Sequence, residues 1–338
     1  MNKMTKKLSE IGEFGLIDKV ISPRFQELVG KDITGIGDDC AIMPFSEKEV
    51  QIVTTDLLIE KVHFLRSAIT AFQLGFKSLA VNLSDIAGMG GTPTATFLSV
   101  AFPKNLGVTW IENFMEGYRD LSEKENVPLL GGDTTNSPDN IVINVAVTGR
   151  MKKTQVKKRA DAKPGDYIVV PDSLGDSGGG LQYILDGLPN DKFSKILLEQ
   201  HLTPYPKVSE GKWFAQMDGV HAMMDVSDGV GSDLGHIVKA SNVAAEVYLE
   251  KTPISKNLRE AAEKYGWNDE ELAFSGGEDY TLLLTIDPEA FEKLAGDFKK
   301  TFGRPLHVIG KINKGEPSIH YLRNGKAVKG PGKGFMHF

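Results

Sequence analysis

Residues 35–64 read Gly-Ile-Gly-Asp-Asp-Cys-Ala-Ile-Met-Pro-Phe-Ser-Glu-Lys-Glu-Val-Gln-Ile-Val-Thr-Thr-Asp-Leu-Leu-Ile-Glu-Lys-Val-His-Phe, and the predicted architecture follows from this segment. It contains two apolar runs of strand length, at 38–43 and 50–55, separated by a short turn at 44–48. If the runs pair as a hairpin, the aspartates that open the first run meet Asp56, which follows the second. The stretch therefore predicts an antiparallel hairpin with one acidic edge.

Three later stretches repeat this acidic pattern: Asn-Leu-Ser-Asp at 82–85, Gly-Gly-Asp-Thr-Thr at 131–135 and Asp-Val-Ser-Asp-Gly at 225–229. Each places an aspartate beside Ser, Thr or Gly at a predicted element boundary. Two carboxylates about 4 Å apart repel by roughly 4 kcal/mol at an effective dielectric of 20, so converging aspartates need a cation among them. Hard oxygen ligands suit Mg²⁺. The pattern predicts a site with several Mg²⁺ ions that holds a nucleoside triphosphate.

Composition limits the class of protein. With 338 residues the chain is long enough for two domains, and its formal net charge of −6 argues against a general nucleic-acid binder. The single cysteine, Cys40, excludes an intrachain disulfide and disfavours a thiolate zinc site. Because the sequence shows neither a signal-peptide core nor an apolar run of about 18 residues, we expect a cytoplasmic protein without a membrane span.

The periodicity of apolar residues predicts an α+β protein. In the first half it predicts helices at 8–30 (broken near Pro23), 70–87 and 109–126, and strands at 94–102, 128–133 and 141–148. The basic stretch 150–163 contains no long apolar run, so we place the domain crossing there, between domains at 1–150 and 151–338. In the second half the pattern predicts strands near 167–170, 220–224, 243–249 and 280–286, and helices near 174–180, 194–201, 207–218, 230–240, 255–265 and 288–299.

Each motif also has a purely structural explanation. Asp38 and Asp39 are typical turn residues, and Ser227 or Asp228 is suited to cap the following helix. The glycines at 174–180 lack the Lys-Ser/Thr ending of a phosphate-binding loop, so close packing is the favoured interpretation.

The remaining motif residues have structural explanations of the same kind. Glu278 and Asp279 fit a charged surface turn, and a lone histidine such as His63 is more often structural. A solvated surface position is the default for Arg159.

The ordered set of motifs resembles the thiamine-monophosphate kinase family, within the superfamily that includes aminoimidazole-ribonucleotide synthetase. The resemblance runs from about Glu13 to Phe338. It rests on Gly-Ile-Gly-Asp-Asp-Cys-Ala, Thr-Thr-Asp-Leu-Leu-Ile-Glu-Lys-Val-His-Phe, Val-Asn-Leu-Ser-Asp-Ile-Ala-Gly-Met-Gly, Gly-Gly-Asp-Thr-Thr, Ala-Lys-Pro-Gly-Asp, Asp-Val-Ser-Asp-Gly, Ser-Gly-Gly-Glu-Asp-Tyr and Gly-Phe-Met-His-Phe. It implies ATP-dependent phosphorylation of thiamine monophosphate to thiamine diphosphate. It further implies a homodimer in which N-terminal α/β domains join their sheets into a barrel, each followed by a C-terminal α/β domain.

The resemblance also implies roles for individual residues. The implied Mg²⁺ ligands are Asp39, Thr54, Thr55, Asp56, Asp85, Asp133, Asp225 and Asp228. The implied nucleotide contacts are Tyr118, Gly132, Asp133, Arg159 and Ser227. The implied contacts with thiamine monophosphate are His63, Glu278 and Phe335, the last by stacking on an aromatic ring. The Glu-Gly-Val-His segment of the family reads Glu-Lys-Val-His here, with Lys61 in the position of the glycine.

The implied mechanism is direct in-line transfer of the γ-phosphoryl group, in which positioning and charge stabilisation supply most of the catalysis. No side-chain base is needed, because a phosphate oxygen is already ionised near neutral pH. Three other functions fit parts of the pattern: a sister ATP-dependent enzyme such as a ribonucleotide cyclase or selenophosphate synthetase, a metal-dependent phosphohydrolase, and a non-catalytic metal-binding module. Cys40 lies within an apolar run, where a reactive thiolate of the selenophosphate synthetase type is disfavoured.

Overall fold

The structure is a computed structural model, and it describes residues 7–332 of the chain. Its strands form two sheets, one in each half. The first half contributes β1 (Ala41–Pro44), β2 (Glu49–Ile59), β3 (Thr92–Pro103), β4 (Leu129–Ser137) and β5 (Val142–Lys152). Its helices are α1 (Leu8–Leu16), α2 (Ser22–Phe25), α3 (Ala71–Gly88) and α4 (Val108–Lys124).

The second half contributes a larger, mixed sheet. Its strands are β6 (Tyr167–Val170), β7 (Val220–Asp225), β8 (Ala244–Tyr248), β9 (Leu282–Ile286), β10 (His307–Asn313), β11 (Ser318–Arg323) and β12 (Lys326–Val328). Its helices are α5 (Asp176–Leu185), α6 (Ser194–Leu202), α7 (Val208–Ala215), α8 (Val230–Ser241), α9 (Lys256–Tyr265), α10 (Asp269–Ser275) and α11 (Pro288–Phe302). The strand order is β12-β11-β8-β10-β6-β9-β7, so β7 forms one edge.

The predicted hairpin is confirmed. β1 pairs antiparallel with β2, with Ala41 opposite Val53 and Pro44 opposite Val50. This register brings the aspartates before β1 toward the Thr-Thr-Asp segment of β2. β2 continues as the second strand of the open five-stranded sheet β1-β2-β5-β3-β4. In one chain this sheet does not close, so the predicted barrel is not formed by the chain alone.

Helix α3 connects the two halves. Its first turn is closed by Thr70, whose hydroxyl accepts the Gln73 N–H while the Gln73 side chain accepts the Thr70 N–H. The helix packs against the first sheet and α4 on one side and against α7 and β7 of the second half on the other. Because most faces of α3 are covered, most of its apolar residues are buried, with Phe72 in the first turn as an exposed exception, and one continuous core extends across both halves. The predicted helix at 70–87 is thus confirmed, whereas the division at 150/151 stays a prediction.

The largest differences from the sequence prediction lie at the two ends of the described region. The predicted 8–30 helix is interrupted by a left-handed Gly12 and by a π turn at Ile17–Ile21, and a 3-10 turn follows α2. Strands β10, β11 and β12 and helix α10 were not predicted, because their short apolar patterns do not distinguish them from loops. Within the described residues, no helix is both long enough and apolar enough to cross a membrane.

Candidate active site

Five aspartates from four separate segments meet where α3 ends between the two sheets. Short hydrogen bonds tie these segments to α3. The Thr54 hydroxyl donates to Asp85, Asn82 Oδ1 accepts the Asp56 N–H at 2.9 Å, and Ser84 Oγ donates to Asp225 Oδ2 at 2.6 Å. The structure thereby brings together these predicted metal ligands: Asp39, Asp56, Asp85, Asp225 and Asp228.

Asp39 lies at the centre of this acidic cluster, and Arg159 is its closest cation. The guanidinium of Arg159 donates from Nε at 3.0 Å and from Nη2 at 2.5 Å to Asp39 Oδ1. The Arg159 backbone N–H also donates to Asp38 at 3.2 Å. The basic crossing segment therefore lies against the acidic hairpin edge, and Arg159 is not at the solvated surface position given as its default.

Gly88, the last residue of α3, faces Asp39 directly. A Cβ at this position would collide with Asp39 Oδ2 and would lie 2.8 Å from the backbone nitrogen of Asp225. Only a residue without a side chain therefore allows the helix end to approach both aspartates. This requirement explains the glycine in the Ile-Ala-Gly-Met-Gly motif.

Burial and mutual repulsion dominate the electrostatics of the cluster. Burial, followed by repulsion from neighbouring aspartates, raises the pKa of Asp56 to about 6 and that of Asp225 to about 8. Burial, followed by the charge of Asp39, likewise raises the pKa of Asp38 to about 7. The buried Oδ2 of Asp39 accepts no hydrogen bond of ordinary geometry from the described residues. A set of carboxylates with an orphaned oxygen and hydroxyl neighbours fits a hard divalent cation such as Mg²⁺.

Asp228 also belongs to a second group of possible metal ligands, at the N-terminal end of α8. A ligand atom of Asp228 lies within 4.8 Å of ligand atoms of Asp233 and His236. Asp233 also accepts the Ser227 N–H at 3.1 Å, so this carboxylate fixes the loop before α8. Ser227 lies in that loop, and its carbonyl oxygen accepts the Glu278 N–H at 2.7 Å. No sequence motif singled out Asp233, because an acidic residue in the first turn of a helix is common.

Not all predicted site residues join the cluster. Along the paired strands, Asp133 is in register with Ser99 of β3, and Ser99 with Asn144 of β5. Asn144 in turn donates to Thr55, which is exposed. Because successive residues of a strand alternate between faces, Asp133 and Thr55 lie on the face opposite Asp56, and β4 is three strand positions, about 14 Å, from β2. Within one chain Asp133 does not share a pocket with Asp56.

Two residues that are predicted to contact the nucleotide, Tyr118 and Gly132, also have structural roles. Tyr118 is buried within α4, and its hydroxyl donates to Thr96 Oγ1 at 2.8 Å. Gly132 has a φ of 151°, and a Cβ there would collide with Leu98 of β3. The glycine allows β4 to lie close to β3, and Tyr118 would have to break its hydrogen bond to reach a ligand.

The packing interpretation of the glycines at 174–180 agrees with the structure. A Cβ on Gly179 would lie 2.8 Å from Leu258, so α5 packs closely on α9. The N-terminus of α5 already binds a carboxylate, because Asp279 accepts the N–H groups of Gly175 at 2.7 Å and Ser177 at 3.3 Å.

A cavity of about 160 Å³ is lined mainly by apolar side chains together with Lys61, His63, Lys77 and His201, and the last two of these contact Glu278. Glu278 Oε2 pairs with Lys77 Nζ at 2.9 Å, and His63 Nδ1 accepts the Ile59 N–H at 2.9 Å. Two of the three residues that are predicted to contact the substrate, His63 and Glu278, therefore lie near this cavity. The third, Phe335, lies outside the described residues. Lys77 belongs to none of the sequence motifs, although a lysine on the apolar stripe of a helix is a signal that could have identified it.

Lys61 adopts the backbone conformation that its position demands. Its φ is 70°, in the left-handed region that glycine occupies without strain. The backbone therefore keeps the turn required between Glu60 and Phe64, which form an isolated bridge.

Comparison with known proteins gives a consistent result over the whole chain. The family described as AIR synthase related protein, N-terminal domain, matches residues 37–151, and its C-terminal counterpart matches residues 163–322. The thiamine-monophosphate kinase of Haemophilus influenzae is 38% identical over 334 residues, which cover 97% of this chain and 98% of that protein.

Solved structures agree. The structure named AaThiL complexed with AMPPCP and TMP matches with a TM-score of 0.85 and 34% identity, over 99% of this chain and 100% of the other. A crystal structure of the thiamine monophosphate kinase of Aquifex aeolicus matches with a TM-score of 0.80 and 32% identity, over 96% and 100% of the two chains.

Proposed function

This chain belongs to the thiamine-monophosphate kinase family, and from that premise we propose that it transfers the γ-phosphoryl group of ATP to thiamine monophosphate, giving thiamine diphosphate. The observation that carries the proposal is the convergence of five aspartates at the end of α3, beside Arg159 and the Glu278 cavity. Homologues with this name match over the full chain, and a related structure contains both an ATP analogue and TMP.

The acidic cluster is the proposed place of the two reacting phosphates. Mg²⁺ ions bound there supply the charge neutralisation that lets two anionic groups approach one another. The side chains proposed to hold these ions are Asp39, Thr54, Asp56, Asp85, Asp225 and Asp228. This assignment is supported by raised carboxylate pKa values and by the orphaned Asp39 oxygen.

The remaining steps are positioning steps. Arg159 and Ser227 flank the cluster and are proposed to orient the nucleotide, Arg159 by exchanging its bond with Asp39 for a phosphate oxygen. His63 and Glu278 are proposed to hold the other end of thiamine monophosphate, and Phe335 stays a prediction. An in-line geometry follows if ATP and substrate enter from these two sides. No side chain acts as a nucleophile or base in this scheme. Tyr118 and Gly132 also have structural roles, and their contacts with the nucleotide stay predictions.

We further propose that the chain acts as a homodimer whose N-terminal sheets face each other. The outward face of the five-stranded sheet exposes large apolar side chains, among them Leu57 (47% exposed), Phe97 (41%) and Leu130 (64%). Exposed apolar surface of this kind on a sheet, next to the exposed edge strand β4, is typical of an association surface. Asp133 and Thr55 lie on the same face, so we propose that they complete the metal site of the partner subunit.

The decisive experiment incubates the purified protein with ATP, MgCl₂ and thiamine monophosphate and separates the products by chromatography. We expect thiamine diphosphate and ADP in equal amounts, and none without the divalent ion. Release of inorganic phosphate without thiamine diphosphate would instead indicate a phosphohydrolase. Thiamine itself is the matched control acceptor, because it lacks the phosphate that the acidic cluster is proposed to receive.

A further inference from the structure

Lys77 is the most deeply buried charged side chain that lines the apolar cavity. It is 1% exposed and lies on α3, which is otherwise apolar along most of its length. A buried ammonium is costly unless it is paired and hydrogen-bonded. Lys77 meets both conditions, because Nζ lies 2.9 Å from Glu278 Oε2 and donates to the His201 carbonyl at 3.0 Å.

His201 adds a second contact to the same carboxylate oxygen. Its Nδ1 lies 3.3 Å from Glu278 Oε2 and 3.1 Å from Ser177 Oγ, so a hydroxyl fixes the imidazole ring. Both of these contacts use Oε2, and within residues 7–332 neither of them involves Oε1. Although burial opposes it, the charge of Lys77 lowers the pKa of Glu278, which keeps the group an acceptor.

The backbone of Glu278 shows that this orientation is imposed by the surrounding structure. Its φ is 56°, an uncommon left-handed conformation for a residue with a side chain. The Glu278 N–H donates to the Ser227 carbonyl at 2.7 Å, and the Tyr280 N–H donates to the Val226 carbonyl at 2.8 Å. The loop is thus held on both sides of Glu278, and strain of this kind is found at functional positions.

Distance along α3 relates this carboxylate to the reacting phosphates. Lys77 precedes Asp85 by eight residues, which is about 12 Å along the helix axis at 1.5 Å per residue. Thiamine monophosphate, two linked rings with a phosphate at one end, is of comparable length. A substrate whose phosphate lay at the aspartates would place its far pyrimidine ring near Lys77, which lines the apolar cavity and pairs with Glu278.

We propose that Lys77 and His201 are positioning residues that hold Glu278 so that Oε1 accepts the amino group of the substrate's pyrimidine ring, with the apolar cavity receiving the ring. This inference rests on the proposed function and adds which group of the substrate the protein recognises. Because Lys77 already neutralises Glu278, the carboxylate is a poor counter-ion for the cationic thiazolium ring. A neutral hydrogen-bond donor is the better partner for Oε1.

The test compares thiamine monophosphate with the analogue whose pyrimidine amino group is replaced by an oxo group. Binding is measured by calorimetry in the presence of Mg²⁺ and a non-hydrolysable ATP analogue, and turnover is measured with ATP. We expect the wild-type protein to bind the analogue about tenfold or more weakly, the size expected for one hydrogen bond to a charged acceptor. Equal binding of the two compounds would overturn the proposal.

Lys77→Met should lose this discrimination and raise KM for thiamine monophosphate about tenfold, with KM for ATP unchanged within about twofold. The double variant Lys77→Met/Glu278→Gln guards against misfolding, because it leaves no unpaired charge. In a Glu278→Gln background, Lys77→Met should have no further effect on substrate KM. Additive effects of the two substitutions, or an equal rise in both KM values, would contradict a role through Glu278.

Lys293→Met is the matched control, since Lys293 is an exposed lysine on α11. It should leave every measured constant unchanged. Failure of the proposed function is separately visible: the wild-type protein would then make no thiamine diphosphate, while the difference in binding between the two compounds would still decide the role of Glu278.

Discussion

Ser84 Oγ donates a hydrogen bond of 2.6 Å to Asp225 Oδ2, and these two residues are 141 positions apart in the chain. Ser84 lies near the C-terminal end of α3, the helix that covers the first sheet, and Asp225 ends β7, the edge strand of the second. The acidic cluster therefore exists only when both halves are packed together. Substitutions that disturb this junction should affect activity before they affect either sheet.

Asp56→Asn tests the metal assignment. The substitution keeps the shape of the side chain and removes one negative charge from a cluster whose members repel. We expect kcat/KM to fall about 100-fold or more, the loss typical of removing one preorganised electrostatic group. Thermal unfolding without divalent ions should show an equal or higher midpoint. Full activity in Asp56→Asn would remove the basis of the metal site, and Asp269→Asn, in the first turn of α10, serves as a control distant in sequence.

The stability of the metal-free protein should depend on pH in a defined direction. The pKa values of Asp56, Asp38 and Asp225 are raised from 3.8 to about 6, 7 and 8, so the folded state holds these protons more tightly than the unfolded state does. Their contribution is fully present below the unfolded value of 3.8 and is lost as the pH rises through 6 to 8. In EDTA we expect the free energy of unfolding to fall between about pH 5 and pH 8. Mg²⁺ should reduce this slope, and a slope of the opposite sign in EDTA would contradict the electrostatic description.

Gly88→Ala should disable the site sterically. The added methyl group would collide with Asp39 Oδ2, and backbone atoms of Asp225 lie on its other side. Overpacking of this kind costs about 1–3 kcal/mol, and we expect activity to fall more steeply than stability. Gly296→Ala is the control, because nothing lies within 4 Å of its Cβ position on α11. That change should raise stability by up to about 1 kcal/mol through helix propensity, and equal effects of both substitutions on activity would refute the steric argument.

Lys61→Gly should relieve backbone strain. A residue with a Cβ at φ 70° pays for a conformation that glycine adopts freely, so the free energy of unfolding should rise by up to about 1 kcal/mol. Denaturant titration measures the change. Lys61→Ala, which keeps the Cβ, should behave like the wild-type chain, and a larger gain from Ala than from Gly would show that strain is not the cause.

Leu57→Lys should dissociate the proposed dimer. The substitution places a charge in the exposed apolar face of the first sheet, and charged groups are disfavoured at the centre of an interface. Sedimentation velocity should show a smaller species, whereas Val108→Lys, at a 70% exposed position on α4, should not change the mass. A wild-type protein that is monomeric at micromolar concentration would contradict the proposal.

The placement of Asp133 gives a sharper form of the same prediction. If Asp133 acts in the partner's site, Asp133→Asn and Asp56→Asn should each be inactive alone. Mixed dimers should recover part of the activity, because one of their two sites carries both native aspartates. No recovery on mixing and refolding the two variants would place Asp133 outside the partner's site.

The sequence alone determined the hairpin, the long helix at 70–87, most strands of the first half and the acidic motifs, because these depend on local periodicity and on residue types with strong turn or ligand preferences. It also carried the family resemblance, through motifs whose order does not depend on folding. Which aspartates meet depends on how the chain folds in three dimensions. The tertiary structure separated Asp133 from Asp56 by sheet face, paired Arg159 with Asp39 and placed Lys77 under Glu278. Contacts between residues more than a hundred positions apart are set by how the two sheets pack around α3, and that packing has no local signal in the sequence.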